Sequence, residues 1–142
     1  MTQWWWAVVA AIGSLVSPGD RDPMCSVLGG LDVTRTRALT TERPHLLARV
    51  YLADDLRERD ERLLASYTAR GLRLEGAATQ RRSCRRVLEP GPDVRLVVVD
   101  VLGPTWAVDR AGERRRLPQD RPTRRVVSLS PTDDGWRVSR VE

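Results

Sequence analysis

Few residues in this chain could do chemistry, and their spacing limits what that chemistry would be. There is one histidine, His45, and it follows Pro44 in what reads as the first turn of a helix, an exposed position. No serine or aspartate stands in a fixed relation to it, so no Ser-His-Asp or Asp-His reading is supported. The sequence holds no phosphate-cradling glycine loop, no His-Glu-x-x-His pair and no paired-cysteine metal motif. Neither a metal nor a cofactor is expected. Cys25 and Cys84 are far apart in sequence and have no metal-ligand spacing. In an exported domain they would form one disulfide closing a long loop. In a cytosolic one they would be free thiols in the core. Asp22-Pro23-Met24 precedes Cys25 where a lipid-attachment signal would need an apolar-small run, so lipid attachment is rejected.

Asp100 is the polar residue with most at stake. It lies in the apolar run 94–102 (VRLVVVDVL), on the strand face that also carries Val94, Leu96, Val98 and Leu102. If that face is the inner one, Asp100 is a buried carboxylate, which is costly unless paired. It would then be a base, a pocket anchor, or the partner of a neighbouring arginine. Tyr51, Tyr67, Trp106 and Trp136 are the aromatics that would line a cavity with it, the plainer alternative being that they fill the core.

The elements that must position these residues can be read from period and punctuation. Asp22-Pro23 is a helix start, with a carboxylate at the N-cap and proline in the first turn. Met24, Val27, Leu28, Leu31, Ala38 and Leu39 follow at helical spacing, weakened by Gly29-Gly30. A second helix begins near residues 41–44, with Leu46, Leu47, Val50 and Tyr51 on one face. A third is capped by Asp54 or Asp55, carries Leu56, Leu63, Leu64 and Tyr67 on one side, and stops at Gly71. Beyond Gly71 the period changes from helical to alternating. Residues 72–88 read as one long strand with a break near Gly76, and residues 94–102 as the central strand. Residues 106–109, 123–129 and 135–141 complete the set, with turns at 89–93, 111–112 and 131–135. Residues 117–122 read as loop. Helices first and antiparallel strands after make an α+β layout. We therefore expect three N-terminal helices packed on a curved, mostly antiparallel, four- to five-stranded, cone-like sheet, forming a single domain over residues 23–142.

Residues 1–22 read as a separate leader. Residues 4–16 (WWWAVVAAIGSLV) are uncharged and end at Pro18-Gly19-Asp20. The run is short for a spanning helix, which needs about 20 apolar residues, and fits the apolar region of an export signal better. The alternatives are a short membrane anchor with Trp4, Trp5 and Trp6 at the interface, or a segment packed on its own domain or on a partner. Exported or membrane-associated localisation follows from the first two, and a cytoplasmic one from the third.

Composition bounds the partners. The chain of 142 residues carries a net charge of +5, and all of its 24 basic residues are arginine, with no Lys, Phe or Asn and a single Ile. That is the signature of a high-GC genome, which accounts for arginine in place of lysine without any functional cause. Residues 54–62 (DDLRERDER) alternate in sign and read as a solvated helix face. Residues 80–86 and 110–125 are less balanced and offer an anionic partner a surface. Neither stretch interleaves aromatics, so nucleic acid is not expected.

In order along the chain, Leu31-Asp32-x-x-Arg35-x-Arg37-Ala38, Leu47-x-x-Val50-Tyr51, Asp60-x-x-Leu63-Leu64, Tyr67-x-x-x-Gly71-Leu72, Val97-Val98-Val99-Asp100 and Gly135-Trp136-Arg137-Val138 resemble the nuclear-transport-factor-2-like, or SnoaL-like, family. The likeness is to small actinobacterial proteins of that class and covers residues 24–142. It bears on fold more than function, since such a fold hosts both enzymes and binding modules. It implies a non-catalytic domain that binds a protein partner or a small ligand, with homodimerisation through the sheet face as a further option. Two rivals stand beside it. One is a pocket isomerase, dehydratase or cyclase using Asp100 with a tyrosine. The other is an anionic-partner binder using the arginine-rich stretches.

Overall fold

The computed structural model describes residues 22–142. The apolar leader or anchor expected at residues 4–16 lies outside the described residues. The first helix, α1 (Pro23–Thr40), starts where its cap dictates: the Asp22 carboxylate accepts a hydrogen bond from the Met24 N–H at 2.8 Å. A methyl group added at Gly29 or Gly30 would meet nothing within 4 Å, so close packing against a neighbour does not account for that pair. A short 3-10 segment, η1 (Pro44–Arg49), and a second long helix, α2 (Asp54–Ala69), follow.

Three helices packed on one sheet were expected, and the structure corrects this: two are long and the middle one is a short 3-10 segment. The Leu46–Tyr51 region does not continue as an α-helix, because its backbone is drawn to the sheet. The Val138 N–H donates to the Val50 carbonyl and the Leu52 N–H to the Val138 carbonyl, both at 2.8 Å, so the chain leaves the helix to bridge to a strand at Tyr51. The cap of α2 also differs from expectation. Ala53 occupies the N-cap and makes no side-chain cap bond, while Asp54 and Asp55 lie in the first turn, where they offset the helix dipole. Arg70 closes α2, and Gly71 follows with φ +70°.

The single four- to five-stranded sheet is corrected as well. Among the described residues, seven strands form two antiparallel sheets. Residues 72–88 split into β1 (Arg73–Gly76) and β2 (Thr79–Val87), because Gly76 and Ala77 take φ of +81° and +58° and turn the chain between them. Gly76 tolerates no side chain there, since a Cβ would lie 2.2 Å from the Pro104 carbonyl oxygen. Gly103-Pro104 likewise separates β3 (Val94–Leu102) from β4 (Thr105–Val108), and β4 pairs with β1 instead of continuing the main sheet. Residues 114–116, not read as a strand from the sequence, form β5 and complete the order β1-β4-β5. The larger sheet has the order β2-β3-β6-β7, with β6 at Thr123–Thr132 and β7 at Gly135–Val141.

The helices are therefore shared between sheets. Helix α1 touches β1, β2 and β3, and α2 packs on η1 and β1. The main core lies between α1, η1 and the larger sheet, built on Leu28, Leu47, Leu96, Val98, Leu129 and Val138. A second small cluster joins Leu39, Leu64 and Leu74 beside the smaller sheet. Cys25 of α1 and Cys84 of β2 are joined by a disulfide inside the main core. No helix among the described residues is long and apolar enough to cross a membrane.

Candidate functional site

One face of α1 carries Leu28, Asp32 and Arg35 at helical spacing, and one face of α2 carries Leu56, Asp60 and Leu64. The α2 stripe is apolar except for Asp60 at its centre, the α1 stripe turns charged at Asp32 and Arg35, and the fold brings Arg35 and Asp60 together. The two form a bidentate ion pair, Nε to Oδ2 at 2.6 Å and Nη2 to Oδ1 at 3.1 Å. The Tyr51 hydroxyl, delivered by the bridge to β7, donates to the same carboxylate at 2.6 Å. Asp60 is 2% exposed, so the expectation that residues 54–62 form a solvated face fails at this residue.

Burial opposes the charged form of Asp60, but the hydrogen bonds and charge of Arg35 and the Tyr51 hydroxyl outweigh it and hold the carboxyl below its usual range. Its share of stability is thus present above the unfolded value of 3.8 and is lost as pH falls through the lower folded value. Tyr51 shifts the other way. Burial, opposed by Arg35 and reinforced by the neighbouring Asp60 carboxylate, pushes its phenol up to about 12. A group raised in the folded state contributes fully below its unfolded value, 10.0, and its contribution disappears as pH rises through 12. Alkaline unfolding should therefore steepen between those limits by roughly 2–3 kcal/mol. Denaturant midpoints measured from pH 9 to 12.5 should show this limb in the parent and not in Tyr51→Phe. Superimposable limbs would refute the assignment.

Above this pair opens a cavity of about 280 Å³. Its apolar floor includes Leu28, Val50, Val127 and Val138, and its rim carries Asp32, Arg35, Arg59, Arg81, Asp100 and Arg125. Asp100 does face inward, and it is held by ion pairs to Arg81 at 3.5 Å and Arg125 at 3.6 Å. Arg81 also donates to Asp32 at 2.8 Å. Burial pushes the Asp32 carboxyl up against the opposing pull of Arg81. The Arg81 Nε–H is buried and has no hydrogen-bond acceptor among the described residues. Arg59, exposed at the rim, makes no ion pair within that set. Asp120 closes one side, accepting from the Leu102 N–H at 2.9 Å. That bond holds its carboxyl below the usual range.

Of the residues proposed from sequence to line a pocket, Tyr51 and Asp100 meet there, and the others are elsewhere. Tyr67 packs on the small cluster of Leu39, Leu64 and Leu74, with the Arg70 guanidinium over its ring at 4.8 Å. Trp106 lies on β4 beneath Arg114 and Arg116, at 4.6 and 5.8 Å from its ring centroid. Trp136 packs against the main core from β7. His45 is exposed, and no group of three or more His, Cys, Asp or Glu able to hold a metal occurs among the described residues. None of the rim residues Asp32, Arg35, Arg59, Arg81 and Arg125 was read from sequence as lining a pocket, although Arg81 and Arg125 fall in the two stretches read as surface for an anionic partner. The signal for two of them was present, since Asp32 and Arg35 interrupt the apolar face of α1.

No family model and no curated protein matches the chain. Among solved structures, it is similar to the intermembrane-space region of the chloroplast protein ARC6, with a TM-score of 0.56 and 12% identity over 84% of this chain and 92% of that one. At that identity the likeness concerns the fold alone.

Proposed function

We propose that this domain is a non-catalytic binding module whose cavity takes a small amphipathic molecule with an anionic or carbonyl-bearing head. The observation that carries this reading is the cavity lining itself, an apolar floor of Leu28, Val50, Val127 and Val138 beneath a rim that holds Arg59, Arg81 and Arg125. Arg59 is exposed and makes no ion pair among the described residues, and its guanidinium at the rim favours a negative head. The valines and leucine below match an apolar body. The rival enzyme reading draws support from Tyr51 and Asp100 sharing the cavity. Against it, the Tyr51 proton is given to Asp60, and the Asp100 carboxylate is engaged by two guanidinium groups.

An exported setting belongs to the same proposal. The apolar run at residues 4–16 and the Cys25–Cys84 disulfide both favour an oxidising compartment.

The test is an NMR titration with 3-phenylpropanoate against its neutral counterpart, 3-phenylpropanol. The carboxylate should perturb the amides of Val50, Tyr51, Val127 and Val138 and bind roughly tenfold more tightly than the alcohol, a charge-assisted hydrogen bond's worth. Arg59→Ala should narrow that gap. Equal affinity for the two compounds, or shifts confined to other surfaces, would reject the reading.

A further inference from the structure

The larger sheet has a second face, turned away from α1 and η1, and its residues can be read from the strand register. Ser83 of β2 pairs with Val99 of β3, which pairs with Arg124 of β6. The next row is Arg85, Val97 and Val126, and the one after is Val87, Arg95 and Ser128, with Arg140 of β7 beyond. Residues of the opposite phase, Cys84, Leu96, Val98, Val127 and Leu129, are the buried core. This outer face thus has a centre of half-buried valines, Val97, Val99 and Val126, ringed by four arginines.

Two of those arginines are already engaged. Arg95 pairs with Glu89 and Glu142, and Arg140 with Glu142, all at one end. Arg85 and Arg124 are exposed and have no ion pair among the described residues. They stand diagonally across the valines, two strands and two residues apart, which places their Cα atoms roughly 12 Å from one another.

We infer that this face docks an acidic polypeptide segment, bound extended, with two carboxylates four residues apart and an apolar side chain midway between them. In an extended chain, residues i, i+2 and i+4 project to one side, and i to i+4 spans roughly 13 Å. Carboxylates at i and i+4 therefore reach Arg85 and Arg124, and the residue at i+2 lands on Val97 and Val99. A second copy of this chain is a poor occupant, because two arginine-ringed faces would repel each other. Nucleic acid is a poor one too. The face offers no aromatic for base stacking, and its valine centre offers the phosphate backbone nothing.

The probe is a synthetic peptide with Glu at two positions four apart, Leu midway and Ser elsewhere, titrated into the isotope-labelled domain. The control peptide carries Lys in place of Glu. The Glu peptide should shift the amides of Val97, Val99 and Val126, and its binding should weaken with salt. Arg85→Glu and Arg124→Glu should each reduce its affinity roughly tenfold or more, with spectra showing that the fold is intact. Val97→Ser, which leaves the charges alone, should also weaken binding. The inference is overturned if the Lys peptide binds as well, if the charge-reversed variants bind undiminished, or if the shifts fall on another surface. Tighter binding of a DNA oligomer to the same residues would overturn it as well.

Discussion

Asp60→Ala is expected to lower the free energy of unfolding by about 3–5 kcal/mol, the cost of removing one partner of a buried ion pair. The carboxylate is 2% exposed and satisfies two donors, the forked guanidinium of Arg35 and the hydroxyl of Tyr51. Without it, Arg35 keeps a positive charge in a largely desolvated position, its side chain 23% exposed, and Tyr51 loses its acceptor. The loss is one of electrostatic compensation more than of packing, and that can be tested separately. Replacing both ends, Asp60→Leu with Arg35→Met, removes the charge that made the single change costly and should recover most of the stability. Urea unfolding of the parent, the two single variants and the pair gives the coupling directly. A cost below about 1 kcal/mol for Asp60→Ala would mean that solvent reaches Arg35 and that the triad is not a determinant of the fold.

The same residues show what was legible in the sequence. Helix α1 and its cap follow from Asp22-Pro23, and the end of α2 from Gly71, because these are local backbone effects that need no tertiary information. Strand β3 follows from an apolar run with no competing period. Local signals could not reveal how the strands divide between sheets. A strand broken at Gly76 looks much the same whether its halves stay in one sheet or part, and what separates them is the close approach of the Pro104 carbonyl, a contact distant in sequence. Strand β5 has three exposed arginines and no apolar alternation, so nothing in its pattern marks a strand, and its pairing with β4 is what makes it one. Asp60 was hidden by its neighbours. The run DDLRERDER is polar throughout and reads as surface, yet residues 56, 60 and 64 share a face, and the flanking leucines are buried. A carboxylate spaced four from a leucine on either side signals a buried charge, and a buried charge implies a partner such as Arg35. Asp100 was legible as an inward-facing carboxylate, but its partners were not, since Arg81 and Arg125 reach it only through the β2-β3-β6 register.

Loss of the Cys25–Cys84 bond should be the other large effect. The two cysteines are 59 residues apart, and the cross-link forbids the unfolded chain most of the conformations in which α1 and β2 are distant. Chain-entropy arguments put the stabilisation from a loop of that length at about 4 kcal/mol. For a domain of this size, that corresponds to a fall in Tm on the order of 10–20 °C. Both cysteines are buried in the main core, so serine substitution would add a polar group to an apolar site, whereas alanine isolates the cross-link more cleanly. Thermal unfolding of Cys25→Ala with Cys84→Ala, compared with the oxidised parent, should show the full loss. The fully reduced parent should lose nearly as much, its thiols still packed where the disulfide was. A double variant within a few degrees of the parent would show that the unfolded chain is already held compact by other contacts. The bond also ties stability to compartment. A domain that depends on it for that much of its stability is poorly suited to a reducing cytosol, so protein taken from its native cell should be lighter by the mass of two hydrogens than its reduced form. Finding it fully reduced there would count directly against the exported setting proposed above.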